Sequence, residues 1–357
     1  MYNSTATEPP SWTTSSANGS SFNSSNAGSD TMAIGLRIAM GVPMLLGMLP
    51  GIFGNLLVIL AITTTRLNHH IINLLVLSLA LSDILISVFP LPVLGAYFVF
   101  YWPQWMLSSA WCKASIYVVN ICAVVSILTM ATIAVDRYFA IQRNVTLLTR
   151  RKCKILLLVI WLISAAIAMS NILNGGTFEE RLEHGTYSVC NRITGKFIQD
   201  KSIKTSLILK LAVGLPFVIG LILIYMRLSY GVWQQRHVPT DEDRRSKSVR
   251  RQRGTKNKAL QMMFAIVIAF AVCWIPYYIV TFMRVVKLSA NPDMEPGFVL
   301  FSYVLVMLNS TVNPLLYALL SKSFRNAYIS VLTGKKERQI RTFTFRTSEL
   351  RDRSMKL

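Results

Sequence analysis

Long apolar stretches alternate along this chain with short polar segments. Seven stretches are built almost entirely of apolar residues, and they lie at 38–63, 72–98, 112–140, 155–174, 205–229, 259–283 and 298–320. A helix of about 20 such residues crosses the hydrocarbon core of a bilayer. Prolines inside several stretches fit this picture, because neighbouring helices can satisfy the backbone groups that a proline frees. The pattern therefore predicts an all-α membrane protein, a bundle of seven transmembrane helices.

Composition divides the chain into three parts. Residues 1–34 are rich in Ser, Thr, Asn and Gly and cannot build an apolar core, so we expect them to be disordered. The helix bundle occupies 35–332, and a basic tail follows at 333–357. The first part contains three acceptor sequons for N-glycosylation, at Asn3, Asn18 and Asn23.

The net charge of +21 is distributed unevenly about the predicted spans. If the N-terminus is outside, the segments on the inner side are 64–71, 137–154, 227–258 and 321–357, and they carry 27 of the 37 Lys and Arg residues. That excess is the positive-inside bias of membrane proteins, and it indicates an extracellular N-terminus. It also explains the charge through cytosol and anionic lipid, so no nucleic acid is expected as a partner.

Two other classes of membrane protein fit less well. A transporter, the remote alternative, would have repeated halves and several charges at mid-membrane depth. The chain has no internal repeat and a single mid-span carboxylate, Asp83. It also lacks the motifs of a metalloprotease, a nucleophile elbow or a phosphate loop, so neither an enzyme nor catalytic residues are expected.

Polar residues inside the membrane are costly and usually mark function. Asp83 lies at about the same depth as several neutral polar side chains: Asn55, Ser126, Asn309, Ser310 and Asn313. From the residues alone, two interpretations stand equally. One is a hydrated Na⁺ held by these oxygens, and the other is a protonated Asp83 in a hydrogen-bonded network with water. At the inner end of the third span, Asp136 and Arg137 form either a conformational latch or a helix-end anchor.

In order along the chain, these motifs resemble the rhodopsin-like (class A) G-protein-coupled receptors. The marks are Gly54-Asn55, Leu79-Ala80-Leu81-Ser82-Asp83, Asp136-Arg137-Tyr138, Trp161, Pro216, Cys273-Trp274-Ile275-Pro276 and Asn313-Pro314-Leu315-Leu316-Tyr317. Phe324-Arg325 resembles the start of the family's short amphipathic eighth helix. The resemblance implies a multi-pass receptor of the plasma membrane. Its partners would be an extracellular ligand, a heterotrimeric G protein, arrestin, receptor kinases and membrane lipid.

The resemblance also assigns roles to residues. Coupling to the G protein and activation would involve Asp136, Arg137, Tyr138, Asn313, Pro314 and Tyr317. A connector below the ligand pocket would consist of Ile127, Pro216, Phe270 and Trp274. An allosteric Na⁺, the one expected cofactor, would bind Asp83, Ser126, Asn309, Ser310 and Asn313. A disulfide would join Cys112 to Cys190.

One departure concerns the fifth span. The family's tyrosine eight residues after Pro216 would be residue 224, which is Ile224, and Tyr225 follows it. Either the helix contains a local bulge, or the active-state contact to Tyr317 is weakened.

The expected ligand follows from a second departure. The seventh span resembles that of amine receptors, the muscarinic ones in particular, but their amine-binding Asp aligns with Val119 and its supporting tyrosine with Met307. A buried ammonium without a counter-charge is costly, so a neuropeptide or a small molecule of another kind than an amine is expected.

An atypical amine receptor would need a loop acid instead, from Glu179, Glu180, Glu183, Asp293 or Glu295. Met307 also excludes retinal, which needs a lysine there. The predicted pocket residues are Val119, Asn120, Ala123, Lys210, Trp274, Tyr277, Tyr278, Arg284, Tyr303 and Met307, although Lys210 and Arg284 fit equally well as cations at the membrane interface.

Overall fold

The structure is a computed structural model. It describes residues 34–65, 67, 70–101, 104–142, 145, 147–174, 177–182, 185–190, 201–237, 247–287 and 296–334. The expected disorder and glycosylation of the first segment and the basic tail beyond 334 lie outside the described residues.

The described elements are mostly helices, with one two-stranded sheet. In chain order they are α1 Ile34–Thr64, α2 Ile71–Val88, α3 Pro90–Ala96, a π-helical turn at Tyr97–Tyr101, α4 Ser109–Gln142, α5 Arg150–Asn174, β1 Thr177–Leu182, β2 Gly185–Cys190, α6 Lys201–His237, α7 Lys247–Lys287, α8 Pro296–Leu320 and α9 Lys322–Thr333. The predicted helix bundle is confirmed.

Among the described residues, six helical segments are long and apolar enough to span a membrane. They lie in α1, the α2–α3 unit with its π turn, α4, α5, α7 and α8. The seventh predicted span, 205–229, lies within α6, a continuous helix of 37 residues. In the bundle, α1 packs against α2 and α8, α4 against α2 and α5, and α7 against α6 and α8.

The second span is not the single helix that the stretch 72–98 predicts. α2 ends at Val88, and Phe89 donates its backbone N–H to the carbonyl of Leu85 at 3.1 Å. Pro90, which has no N–H to donate, then opens α3 at a first-turn position that tolerates proline. The chain continues through α3 into the π turn, so this span changes its helical geometry twice near its outer end.

The eighth helix is confirmed as α9. Its N-terminus is capped by Ser321, whose hydroxyl oxygen accepts from the Phe324 N–H at 3.4 Å. Gly334 ends it with a φ of 65°, a left-handed conformation that glycine adopts without strain. Phe324, Ala327 and Tyr328 are buried, and the opposite face is exposed, as expected for an amphipathic helix at the bundle edge.

A β-hairpin between α5 and α6 is a feature that hydropathy did not predict. β1 and β2 pair antiparallel, with Thr177 opposite Cys190 and Leu182 opposite Gly185. Cys190 forms a disulfide with Cys112 in the first turn of α4, which confirms the predicted pairing. The bond ties the hairpin to the outer end of the bundle. The other three cysteines are buried and free.

Candidate functional site

The predicted ligand pocket is built around an aromatic cluster near the outer end of α7. Tyr277 and Tyr278 lie one turn after Trp274 on this helix, and Tyr303 reaches this group from α8. Trp274 meets Tyr277 edge-on at 5.8 Å between ring centroids, and Tyr277 meets Tyr303 edge-on at 5.6 Å. Tyr278 lies 6.1 Å from Trp274. The structure thus joins four of the predicted pocket residues in one cluster, whose faces favour aromatic and apolar groups.

The third-span side of the predicted pocket is neutral. Val119, Asn120 and Ala123 are half-buried along α4, and Met307 is buried in α8. The Asn120 side-chain amide donates to the Ile116 carbonyl at 2.7 Å, so one of its N–H groups is held by its own helix. Four of the ten predicted pocket residues therefore supply no charge at this depth.

The charged candidates at the mouth are mostly not described. Lys210 and Arg284 lie on the described backbone of α6 and α7, but their side chains are outside the described residues. Among the acids that an atypical amine receptor would need, Glu179 is exposed on β1. The side chains of Glu180, Glu183, Asp293 and Glu295 are outside the described residues as well.

Predicted polar residues of α2 and α8 meet inside the bundle. Asp83, Ser126, Asn309, Ser310 and Asn313 are all buried. The Asn313 amide donates to Asp83 Oδ2 at 2.7 Å, joining α8 to α2. Asp83 Oδ1 has no hydrogen-bond partner within the described part of the chain. A carboxylate oxygen with free acceptor capacity beside neutral oxygens fits a small hard cation.

Two further serines belong to this polar centre. Ser87 donates to the Asp83 carbonyl at 2.7 Å and lies 3.4 Å from the Ser310 hydroxyl. Ser82 lies 3.5 Å from the Ser126 hydroxyl. Sequence reasoning missed both serines, although Ser87 follows Asp83 by four residues and therefore shares its helix face. Asn55, which the sequence did indicate, donates to the Ser310 carbonyl at 2.9 Å.

Near the C-terminal end of α4, Arg137 donates to Asp136 at 2.6 Å. It is the one ion pair that the described residues contain. Asp136 is buried, while the Arg137 side chain is about one-fifth exposed, so the guanidinium remains partly accessible. Tyr138 is half-buried and meets Phe139 edge-on at 5.5 Å.

The structure shows which residue of the fifth span, Ile224 or Tyr225, faces the inside of the bundle. Tyr225 is 1% exposed, whereas Ile224 is 39% exposed and faces outward. The Tyr225 hydroxyl lies within electrostatic range of the Arg137 guanidinium. The helix therefore turns Tyr225, rather than residue 224, toward the third span, and the tyrosine is kept on the inner face with a shift of one position.

Only some of the remaining residues predicted for activation contact one another. Phe270 stacks on Trp274 at 5.4 Å and both are buried, whereas the Pro216 ring is exposed and Ile127 is half-buried against the core. Tyr317 is buried and stacks on Phe324 of α9 at 5.0 Å. Its hydroxyl has no hydrogen-bond partner among the residues described. Pro314, also buried, lies against Gly54 of α1.

Comparison with known proteins agrees with this geometry. Residues 54–317 match the family model described as "7 transmembrane receptor (rhodopsin family)". A QRFP-like peptide receptor of Branchiostoma floridae is 27% identical over 292 residues, which cover 80% of this chain and 74% of the relative. The melatonin receptor type 1B of Mus musculus is 29% identical over 289 residues, covering 78% and 73%. The crystal structure of squid rhodopsin superposes with a TM-score of 0.68 at 20% identity, covering 84% of this chain and 86% of that one, and shows a common fold.

Proposed function

The chain belongs to the rhodopsin family of seven-transmembrane receptors, and we propose that it is a plasma-membrane receptor activated by a neuropeptide. It is a multi-pass membrane protein that transmits the binding of an extracellular ligand to a heterotrimeric G protein. We propose three properties of this receptor: a neuropeptide ligand, a location in the plasma membrane and an extracellular N-terminus.

The neutral third-span wall carries the ligand proposal. An ammonium placed beside Val119 would lose its hydration without gaining a counter-charge, a cost of several kcal/mol per ion. The aromatic cluster of Trp274, Tyr277 and Tyr303 instead offers apolar faces and hydroxyl groups, which suit the side chains and amides of a peptide. The hairpin β1–β2 adds backbone groups near the outer end of the bundle, where an extended chain could bind them.

The relatives support a peptide and also favour one second candidate. A relative named as a QRFP-like peptide receptor binds a peptide by its name, and another is named for melatonin. A small molecule such as melatonin would also fit a pocket wall without a carboxylate. An atypical amine receptor is the third candidate, since Glu179 is exposed on the hairpin.

The test is a second-messenger assay in cells that express the chain. A neuropeptide library, melatonin and a monoamine panel are applied side by side, and an Arg137→Ala variant with equal surface expression serves as the non-signalling control. A response to peptides alone supports the proposal. A response to melatonin alone selects the second candidate. A monoamine response that Glu179→Gln removes would overturn the peptide proposal and assign the hairpin acid as the counter-charge.

We also propose the route by which binding reaches the G protein. Phe270 stacks on Trp274 of the aromatic cluster, and Pro276 lies about half a turn beyond Trp274 on α7. A ligand that favours a different packing of Trp274 would move the inner half of α7 about Pro276. This movement would free Arg137 for the G protein, and arrestin and receptor kinases would follow as later partners.

The polar centre is proposed to bind Na⁺ as an allosteric ligand. Asp83 supplies the charge, and Ser126, Asn309, Ser310 and Asn313 supply neutral groups. The test compares thermal unfolding of the purified receptor in NaCl and in choline chloride at equal ionic strength. Asp83→Asn should remove the Na⁺-dependent stabilisation, while Ser302→Ala, a buried α8 serine whose hydroxyl donates to the Val299 carbonyl, should retain it. A sodium effect that survives in Asp83→Asn would contradict this site.

A further inference from the structure

The outer end of the second span is capped by a side chain from the first. The π turn Tyr97–Tyr101 ends that span, and the last carbonyls of a helix have no partner within it and carry partial negative charge. Arg37 of α1 donates from Nε to the Phe98 carbonyl at 3.3 Å and from Nη2 to the Val99 carbonyl at 3.4 Å. A guanidinium suits this role because its planar fork reaches two acceptors at once.

Close helix packing fixes Arg37 above these carbonyls. One turn along α1, a Cβ added at Gly41 would lie 2.8 Å from the Gly95 carbonyl oxygen and 2.4 Å from a Val99 side-chain carbon. Both distances are shorter than van der Waals contact, so α1 and α3 approach as closely as their backbones allow. The arginine therefore reaches the π turn from a helix that cannot shift independently of it.

The π turn is in turn connected to the hairpin. Tyr97 packs edge-on against Trp105 at 5.1 Å, and both rings are buried. The Trp105 backbone N–H donates to the Ser188 carbonyl at 2.6 Å, and the Ser188 backbone N–H donates to Gln104 Oε1 at 3.1 Å. Ser188 precedes Cys190 by two residues on β2, so these contacts and the disulfide hold the same strand at two points.

We infer that Arg37 is a positioning residue that sets where the hairpin lies over the ligand mouth. It acts through the π turn, Tyr97 and Trp105, and a π turn is a geometry that proteins often retain at functional positions. A cation that merely reached for the membrane interface would leave the carbonyls of Phe98 and Val99 to other donors. The role in ligand access rests on the proposed ligand site, whereas the mechanical connection from α1 to β2 does not.

Hydrogen–deuterium exchange of the purified receptor in nanodiscs tests the connection without a ligand. The amides of Trp105 and Ser188 are the probes. Arg37→Ala should accelerate their exchange about tenfold, since the fork of two charge-assisted bonds is lost. Arg37→Lys should give a smaller acceleration, because an ammonium keeps the charge without the fork. Lys113→Ala is the matched control, since it removes an exposed outer cation that has no hydrogen bond in the described part of the chain.

A second pair of variants disturbs the same contact without touching Arg37. Gly41→Ala should accelerate exchange at both probes, whereas Gly35→Ala should not, because a Cβ added at Gly35 meets nothing within 4 Å. This pair keeps the test decisive if Arg37→Ala does not fold. Exchange at wild-type rates in Gly41→Ala and Arg37→Lys would overturn the inference.

Access to the mouth is measured with a thiol introduced by Val119→Cys and a charged, membrane-impermeant methanethiosulfonate reagent applied from outside. Adding Arg37→Ala should raise the modification rate about threefold, as the hairpin covers the mouth for less of the time, and Lys113→Ala should leave it unchanged. Faster exchange with an unchanged modification rate would refute the role in access while retaining the connection.

Discussion

Gly214 on α6 and Tyr278 on α7 form a contact that permits a quantitative prediction. A Cβ added at Gly214 would lie 2.4 Å from the Tyr278 hydroxyl oxygen and 2.9 Å from two of its ring carbons. The tyrosine has little room to retreat, because it is 5% exposed and packs against Trp274 and Tyr277. Gly214→Ala should therefore strain the contact between the fifth and sixth spans beside the aromatic cluster.

The same helix supplies the control. A Cβ added at Gly220 meets nothing within 4 Å. Both substitutions gain about 0.5–1 kcal/mol from the better helix propensity of alanine, so this contribution cancels between them. What remains is the cost of overpacking a buried contact, about 1–3 kcal/mol. Gly214→Ala should accordingly unfold on the order of 5 °C below Gly220→Ala, at about 2–4 °C per kcal/mol.

Thermal unfolding of the purified receptor measures this difference through a thiol-reactive dye that reports exposure of the buried cysteines Cys122 and Cys273. Adding Tyr278→Phe to Gly214→Ala removes the closest atom but leaves both ring carbons at 2.9 Å, so it should recover part of the loss. A double-mutant cycle then gives a coupling energy of about 1 kcal/mol. Equal midpoints for Gly214→Ala and Gly220→Ala, or strictly additive effects in the cycle, would refute the reasoning.

Three other predictions concern signalling. Arg137→Ala should abolish nucleotide exchange on the G protein while leaving surface expression intact, and unchanged exchange would refute the latch role. Tyr225→Phe should lower agonist efficacy severalfold, because Tyr225 is buried within electrostatic range of Arg137, whereas Ile224→Ala should not; dose–response curves in cells compare the two, and the reverse order would restore position 224 as the functional one. Val119→Asp should weaken the peptide response more than Val119→Asn of the same shape, about tenfold in potency, since it adds a buried charge; equal potencies would show that the side chain lies outside the ligand contact.

The seven spans could be predicted because the bilayer imposes a strong and local rule. About 20 consecutive apolar residues are needed in each helix, and the inner loops must carry the positive charge, so both number and orientation can be obtained from the chain. The break in the second span was harder to place. Pro90 and Pro92 indicate an interruption, but they do not indicate the π turn, whose carbonyls accept hydrogen bonds from Arg37 of another helix.

Some residues of the candidate sites could likewise be predicted from the sequence, and others could not. Asp83 and Arg137 could be identified because a charge inside a membrane span is costly and therefore informative. Ser87 could not, since a serine carries no such penalty and its role becomes visible only when Ser310 is placed 3.4 Å away. The hairpin gave no long apolar pattern either, because half of the residues of β1 and β2 are polar.

The position of Tyr225 shows how far a family pattern can be carried along a chain. Counting from Pro216 places the functional tyrosine at residue 224, where the chain has isoleucine. A helix turns by about 100° per residue, so a shift of one position would direct the side chain toward a different neighbour in an ideal helix. Yet Tyr225 is the buried residue and Ile224 the exposed one. We infer that burial of the tyrosine and exposure of the isoleucine set the rotation of α6 at this point. The spacing from Pro216 has less influence on it.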